Sequence, residues 1–183
     1  HEQAGLKGIK DLVAYFLLAN QHTQIPPKIL ENTKKIISDS RITFRDFDMK
    51  NFYRDAEIVF EIYNSAWEKN WGFFPMTREE FMHSAKEMKL VLDRRYAYIA
   101  EVDGKPAGFM LALPDINYIL KAIPNGKLLP TGIFKFLLGR RLLKTVRVIT
   151  LGVKPEYRNT GIFSAFTVES FNRAQKYNTY GGE

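Results

Sequence analysis

Residues 146–162 read Val-Arg-Val-Ile-Thr-Leu-Gly-Val-Lys-Pro-Glu-Tyr-Arg-Asn-Thr-Gly-Ile. An apolar strand pattern runs into a polar turn carrying Arg158 and Gly161, and a helical pattern starts straight afterwards. The first amides of a helix have no intrahelical partner and the helix dipole adds positive potential, so such a turn suits a pyrophosphate. Gly161 lets the backbone approach an anion without a Cβ in the way. A strand-to-helix connection holding Arg and Gly also occurs with no ligand at all, and no G-x-G or GK[ST] pattern is present. Both readings stand on spacing alone.

Other chemistries have little to work with. The chain has no cysteine, which removes disulfides, thiol nucleophiles and Cys-ligated zinc. Its three histidines, His1, His22 and His83, never fall at i, i+4. That is poor material for a His-based metal site or a Ser-His-Asp triad, and no metal is expected. With 27 Lys and Arg against 20 Asp and Glu, the formal net charge of +7 admits anionic ligands. Residues 127–158 concentrate that charge: Lys127, Lys135, Arg140, Arg141, Lys144, Arg147, Lys154 and Arg158 stand against the single acid Glu156. They are interleaved with Ile133, Phe134, Phe136, Leu137, Leu138, Leu142 and Leu143. A helix packed on a sheet with a solvated basic edge is favoured over a lid on a substrate groove, and a membrane-surface helix comes third. Nucleic acid is disfavoured, since no RRM, OB or helix-turn-helix signature appears.

The elements that must position the turn belong to a chain of 183 residues, enough for one domain or one domain plus a fragment. No apolar run approaches the ~20 residues of a bilayer span, and no leader-like segment is seen, so a soluble cytoplasmic protein is expected. Residues 12–18 read as a strand, Pro26-Pro27 as a break, and Ile29, Leu30, Thr33, Ile36 and Ile37 as one face of a helix, with a boundary near residue 40. Residues 41–47 alternate as a half-buried strand. Phe52, Ala56, Val59, Phe60, Tyr63 and Trp67 then stripe a long helix over 48–69, with Asp48 as its N-cap. Thr77-x-x-Glu80 is a capping box for a second helix reaching Leu92. Residues 96–102 and 107–113 flank Asp103-Gly104 as a hairpin. Weak helical patterns cover 116–123 and 132–143, a buried strand 146–153, and a helix 161–176. The order β-α-α-β-β-(αα)-β-α is an α/β arrangement.

Val153-x-Pro155-x-Tyr157-Arg158-x-x-Gly161-Ile162, in that element order, resembles motif A of the GNAT superfamily of acetyl-CoA-dependent N-acetyltransferases. The resemblance covers residues 41–183. It implies a mixed, mainly antiparallel central sheet flanked by helices, with the C-terminal strands missing from this chain. Residues 1–40 would be the end of a preceding domain plus a linker helix. Acetyl-CoA would be the co-substrate, and the acyl group would pass to the amine of a small molecule or peptide. By the same resemblance Leu151, Gly152 and Val153 would offer backbone groups to the pantetheine arm. Arg158, Asn159, Thr160, Gly161, Ile162, Phe163 and Ser164 would wrap the pyrophosphate. Phe163 stands where motif A has Gly or Ala, and Asn159-Thr160 where a Gly-plus-basic pair is common.

Trp67, Trp71, Phe73 and Phe74 would line an acceptor groove, with a hydrophobic plug between two helices as the plainer reading. Residues 146–153 contain no acid. Glu101 and Glu183 are the nearest carboxylates by topology, but the reading as ordinary strand residues is favoured for both, so no catalytic residue is assigned. A non-catalytic or degenerate acyl-CoA-binding module is the alternative, motivated by Phe163 and the acid-free strand.

Overall fold

The hairpin around Asp103-Gly104 forms the middle of the molecule. In the computed structural model β3 (Ala97–Val102) and β4 (Lys105–Pro114) pair antiparallel. Asp103 and Gly104 have φ of 50° and 72°, the left-handed pair that a tight two-residue hairpin turn needs. β2 (Ile42–Asp46) lies antiparallel beside β3, and β5 (Thr145–Val153) antiparallel beside β4. β6 (Gly181–Gly182) runs parallel to the start of β5, and β1 (Leu17–Leu18) antiparallel to β6. The sheet order is β1-β6-β5-β4-β3-β2. The structure describes residues 2–19, 24–89, 91–121, 123, 132–139, 143–179 and 181–182.

Side-chain alternation sends the strand residues to two cores. Ala97, Ile99, Phe109 and Leu111 meet α2 (Phe52–Trp67) and α3 (Arg78–Met88) on one face. Tyr96, Tyr98, Ala100, Met110 and Ala112 meet α6 (Ile162–Lys176) on the other. Tyr98 is pinned there, its hydroxyl 2.6 Å from Ser170 Oγ and 3.3 Å from the Phe166 carbonyl; burial pushes its phenol well above the ordinary range. α1 (Pro27–Ile37) packs against α6.

The capping box forms as the spacing predicts. Thr77 Oγ1 accepts the Glu80 amide at 3.3 Å, and the Glu80 carboxylate accepts the Thr77 amide at 2.9 Å. Asp48, in contrast, does not cap α2. Its carboxylate accepts the amides of Lys50 and Asn51 at 2.9 and 3.2 Å, and the helix starts only at Phe52. An Asx turn ahead of the helix has taken the side chain that a cap would need. Bonds from the Asn51 side chain and from the Asn51 and Lys50 amides bring its carboxyl down to about 2.

Three elements are shorter than their patterns. Residues 12–18 contribute only Leu17 and Leu18 to the sheet, while Leu12, Val13, Tyr15 and Phe16 are exposed. α4 (Asn117–Lys121) and α5 (Gly132–Gly139) meet where a Cβ on Gly139 would lie 3.1 Å from Ile119. Lys127, Arg140, Arg141 and Leu142 lie outside the described residues, as does the Lys135 side chain. Among the described residues no helix is long and apolar enough to cross a membrane.

Candidate acyl-transfer site

The direction of each peptide group on β5 follows from one hydrogen bond. Lys154 N–H donates to the Ala107 carbonyl at 2.9 Å, so the Gly152/Phe109 and Thr150/Leu111 pairs exchange hydrogen bonds with β4. Leu151 and Val153 therefore turn N–H and C=O away from β4. That edge of β5 is paired to β6 only at Thr145 and Val146 among the described residues. The N–H and C=O of Gly152, by the same geometry, face β4. A Cβ there would lie 3.1 Å from Phe109 and 3.2 Å from Ala66, so the glycine serves the close approach of α2.

β5 is also bulged. Its partners step from Leu111/Thr150 to Ala112/Val148, leaving Ile149 as the extra residue. The bulge breaks the side-chain alternation, and Arg147, Val148 and Ile149 are all exposed. The strand expected to be buried over 146–153 is buried only at Gly152 and Val153.

After Val153 the chain makes a 3-10 turn, Pro155–Thr160, and enters α6 through Gly161 at φ 81°. A Cβ on Gly161 would collide with Ile36 Cδ1 of α1. The residue must therefore be glycine for two structural reasons, a left-handed backbone and a filled neighbour space. Arg158 reaches back and donates to the Ala66 carbonyl at 2.6 Å, near the end of α2. Asn159 and Thr160 are exposed, with Thr160 Oγ1 donating to the Tyr157 carbonyl at 2.6 Å. Ile162 is fully buried, whereas Phe163 is 61% exposed and does not enter the core. No side chain caps α6, and Ala165 N–H is the first to bond within the helix, to Gly161 O at 3.1 Å. The amides of Ile162, Phe163 and Ser164 are the donors left by helix geometry.

The four aromatic residues expected at an acceptor groove split into two pairs. Trp67 stacks on Tyr63 at 6.1 Å and Phe73 meets Tyr63 edge-on at 5.5 Å, both as packing between α2 and the loop to α3. Trp71 and Phe74 are 61% and 83% exposed, with Lys10 Nζ 5.5 Å above the Trp71 ring.

Glu101 is bound to Arg45 at 2.7 Å, and Arg45 also grips the fully buried Asp55 at 2.6 Å. Burial alone would raise the Asp55 carboxyl. The bonds from Arg45, the Asp48 amide and Arg54 outweigh it and hold the group below its usual value. Glu101 is thus the outer end of a charge cluster that clamps α2 to β2 and β3. Glu183 lies outside the described residues. Three buried side-chain oxygens, Thr33 Oγ1 on α1, Thr150 Oγ1 and Asn64 Oδ1, have no hydrogen-bond partner among the described residues. Thr150 shares the α2 face with Gly152 and adjoins the bulge, and Asn64 is on α2. A threonine in a strand is an ordinary β-former, so its type gave no signal. No cluster of three or more His, Asp or Glu is placed to hold a metal among the described residues.

No family model matches the chain. Protein YghO of Escherichia coli is 35% identical over 162 residues, 86% of this chain and 40% of that protein. The bacterial ceramide synthase of Caulobacter vibrioides is 34% identical over 161 residues, 87% of this chain and 41% of that protein. The chain thus spans about two fifths of the length of these curated relatives. The crystal structure of a GNAT family acetyltransferase from Brucella melitensis in complex with acetyl-CoA superposes with a TM-score of 0.51 at 13% identity, covering 77% of this chain and 73% of that one. With its mostly antiparallel sheet covered by helices on both faces, the chain has the GNAT fold.

Proposed function

We propose that this chain is the acyl-transfer domain of an acyl-CoA-dependent N-acyltransferase whose acceptor is the amine of a long-chain amphiphile. The observation that carries the reading is the continuity of one strand with one turn. The outward peptide groups of Leu151 and Val153 lead directly to the uncapped start of α6. Those residues fit a CoA thioester, with strand groups for the amide-bearing arm and the amides of residues 162–164 for the pyrophosphate. Arg158 orders the turn from its bond to Ala66, and Phe163 stands outside the core at the same helix start.

Acyl transfer requires that the amine lose a proton, that the carbonyl oxygen meet donors and that the thiolate regain a proton. The outward N–H groups of β5 are the oxyanion donors in this reading. Glu101 is committed to Arg45 and takes no part. Thr150 Oγ1, buried with unused hydrogen-bonding capacity on the α2 face of β5, holds the acceptor amine in this reading.

The acceptor class draws on the relative named a ceramide synthase, since a ceramide is the amide of a long-chain amino alcohol. Val148 and Ile149, exposed on β5, supply an apolar approach to the same strand. A thiol-release assay tests the reading with acetyl-CoA and a long-chain acyl-CoA as donors, and a long-chain amino alcohol, short amines and a peptide as acceptors. Turnover with the long-chain acceptor is expected, and turnover confined to peptides or short amines overturns that acceptor class. A non-catalytic acyl-CoA-binding module is the second reading, favoured by the acid-free β5; calorimetric binding of the thioester without thiol release selects it.

A further inference from the structure

The excursion between β4 and β5 carries a surface that the transfer reaction does not explain. From Ile116 to Pro155 the chain has no acid, yet it holds eight cations: Lys121, Lys127, Lys135, Arg140, Arg141, Lys144, Arg147 and Lys154. Within it α4 and α5 pack on each other through Ile119 and Gly139, which buries Ile119. That contact leaves other large apolar side chains facing out. Phe134 and Leu138, one turn apart on α5, are 66% and 65% exposed, and Tyr118 and Leu120 on α4 are 63% and 44% exposed. Lys121 at the end of α4, and Lys144 and Arg147 around the start of β5, are exposed as well.

A solvated helix does not present Phe and Leu at i, i+4 to water, and a protein-binding face does not ordinarily exclude every carboxylate over forty residues. Exposed apolar side chains on α4 and α5, in a stretch whose charged residues from 116 to 155 are all cations, match a helix lying in the interface of an anionic bilayer, its rings among the acyl chains and its ammonium groups among the phosphates. The hydrogen bond from Asp115 N–H to the Thr145 carbonyl at 2.9 Å closes the base of the excursion. α4 and α5 are thereby fixed at the Thr145 end of β5, opposite the turn that follows Val153.

We infer that the α4/α5 excursion is a membrane-interface element that docks this chain on anionic phospholipid. The inference stands on this surface and not on the transfer reaction, so either can fail without the other. Purified full chain, without CoA, is co-sedimented with phosphatidylcholine vesicles that do or do not contain phosphatidylglycerol. The expected result is binding to the anionic vesicles that weakens with added salt. The Phe134→Ser/Leu138→Ser variant, altered at exposed positions, should melt like the wild type by circular dichroism yet bind those vesicles about tenfold or more weakly. The Lys121→Glu/Lys144→Glu variant should lose the preference for phosphatidylglycerol severalfold. Absence of binding by folded wild type overturns the inference, and so does binding that neither variant reduces. A dimer in sedimentation velocity that the Phe134/Leu138 variant splits, with no vesicle binding, assigns the patch to a second copy of the chain instead. Salt-sensitive RNA binding in place of vesicle binding likewise overturns it.

Discussion

The Arg158 guanidinium donates to the Ala66 carbonyl at 2.6 Å, tying the turn before α6 to the end of α2. The last carbonyls of a helix have no intrahelical donor, so this bond satisfies one of them with a charged group. Arg158→Ala should lower ligand-free stability by about 1–2 kcal/mol in urea unfolding. An unchanged melt without CoA would show that the arginine serves an anion and not the helix end.

Gly161 and Ile36 should be energetically coupled. Gly161→Ala forces an L residue into φ 81° and drives its Cβ into Ile36 Cδ1, at a cost of about 2–4 kcal/mol. Ile36→Val removes that methyl and costs about 1 kcal/mol alone. In a double-mutant cycle the pair should be less destabilising than the sum, with the left-handed strain as the remainder. Additive effects would leave the left-handed backbone as the whole cost of the substitution, without the contact to Ile36.

Thr150→Val separates activity from stability. Replacing a buried hydroxyl that has no partner by a methyl should leave the melt unchanged or raise it. Acyl transfer should fall by about tenfold or more if Thr150 holds the amine, since one lost hydrogen bond to a reacting group is of that order. A variant as active as the wild type would remove Thr150 from the site.

Removing Trp67 and removing Trp71 with Phe74 should differ. Trp67→Ala takes a ring out of the stack with Tyr63 and should cost about 2–4 kcal/mol. Trp71→Ala with Phe74→Ala touches rings that are 61% and 83% exposed and should stay within about 0.5 kcal/mol of wild type. A change in KM for the acceptor in the second variant, with its melt intact, would place those rings at the groove.

Acid should loosen the α2 end of the sheet. Asp48 titrates at about 2 in the folded chain and Asp55 below its ordinary value. Both folded values lie below the unfolded one, so the unfolded chain binds the proton first. Their contribution is fully present above the unfolded carboxyl value of about 3.9 and is lost as pH falls towards about 2. Urea unfolding at pH 7, 4 and 2.5 should show most of the loss in the last interval, and Asp48→Asn should flatten it. Arg45→Met, which strips Asp55 and Glu101 of their shared partner, should cost about 2–3 kcal/mol at neutral pH, with Arg54 and the Asp48 amide still holding the buried carboxylate.

What the sequence determined by itself was local. The Asp103-Gly104 hairpin, the Thr77/Glu80 capping box and the strand-turn-helix over 146–176 each depend on residues within a few positions of one another, where φ preferences and orphan amides act directly. With the element order they marked an α/β arrangement, and the resemblance they carry implied the mainly antiparallel sheet. The tertiary structure alone decided what those residues face. The packing of α2 over Gly152 and the ion pair of Glu101 with Arg45 of another strand are set only by the assembled sheet. The bulge at Ile149 depends on register with β4, and the collision that keeps residue 161 a glycine comes from a helix more than a hundred residues upstream. Contacts of that separation are set by packing between whole elements, which no short-range periodicity encodes.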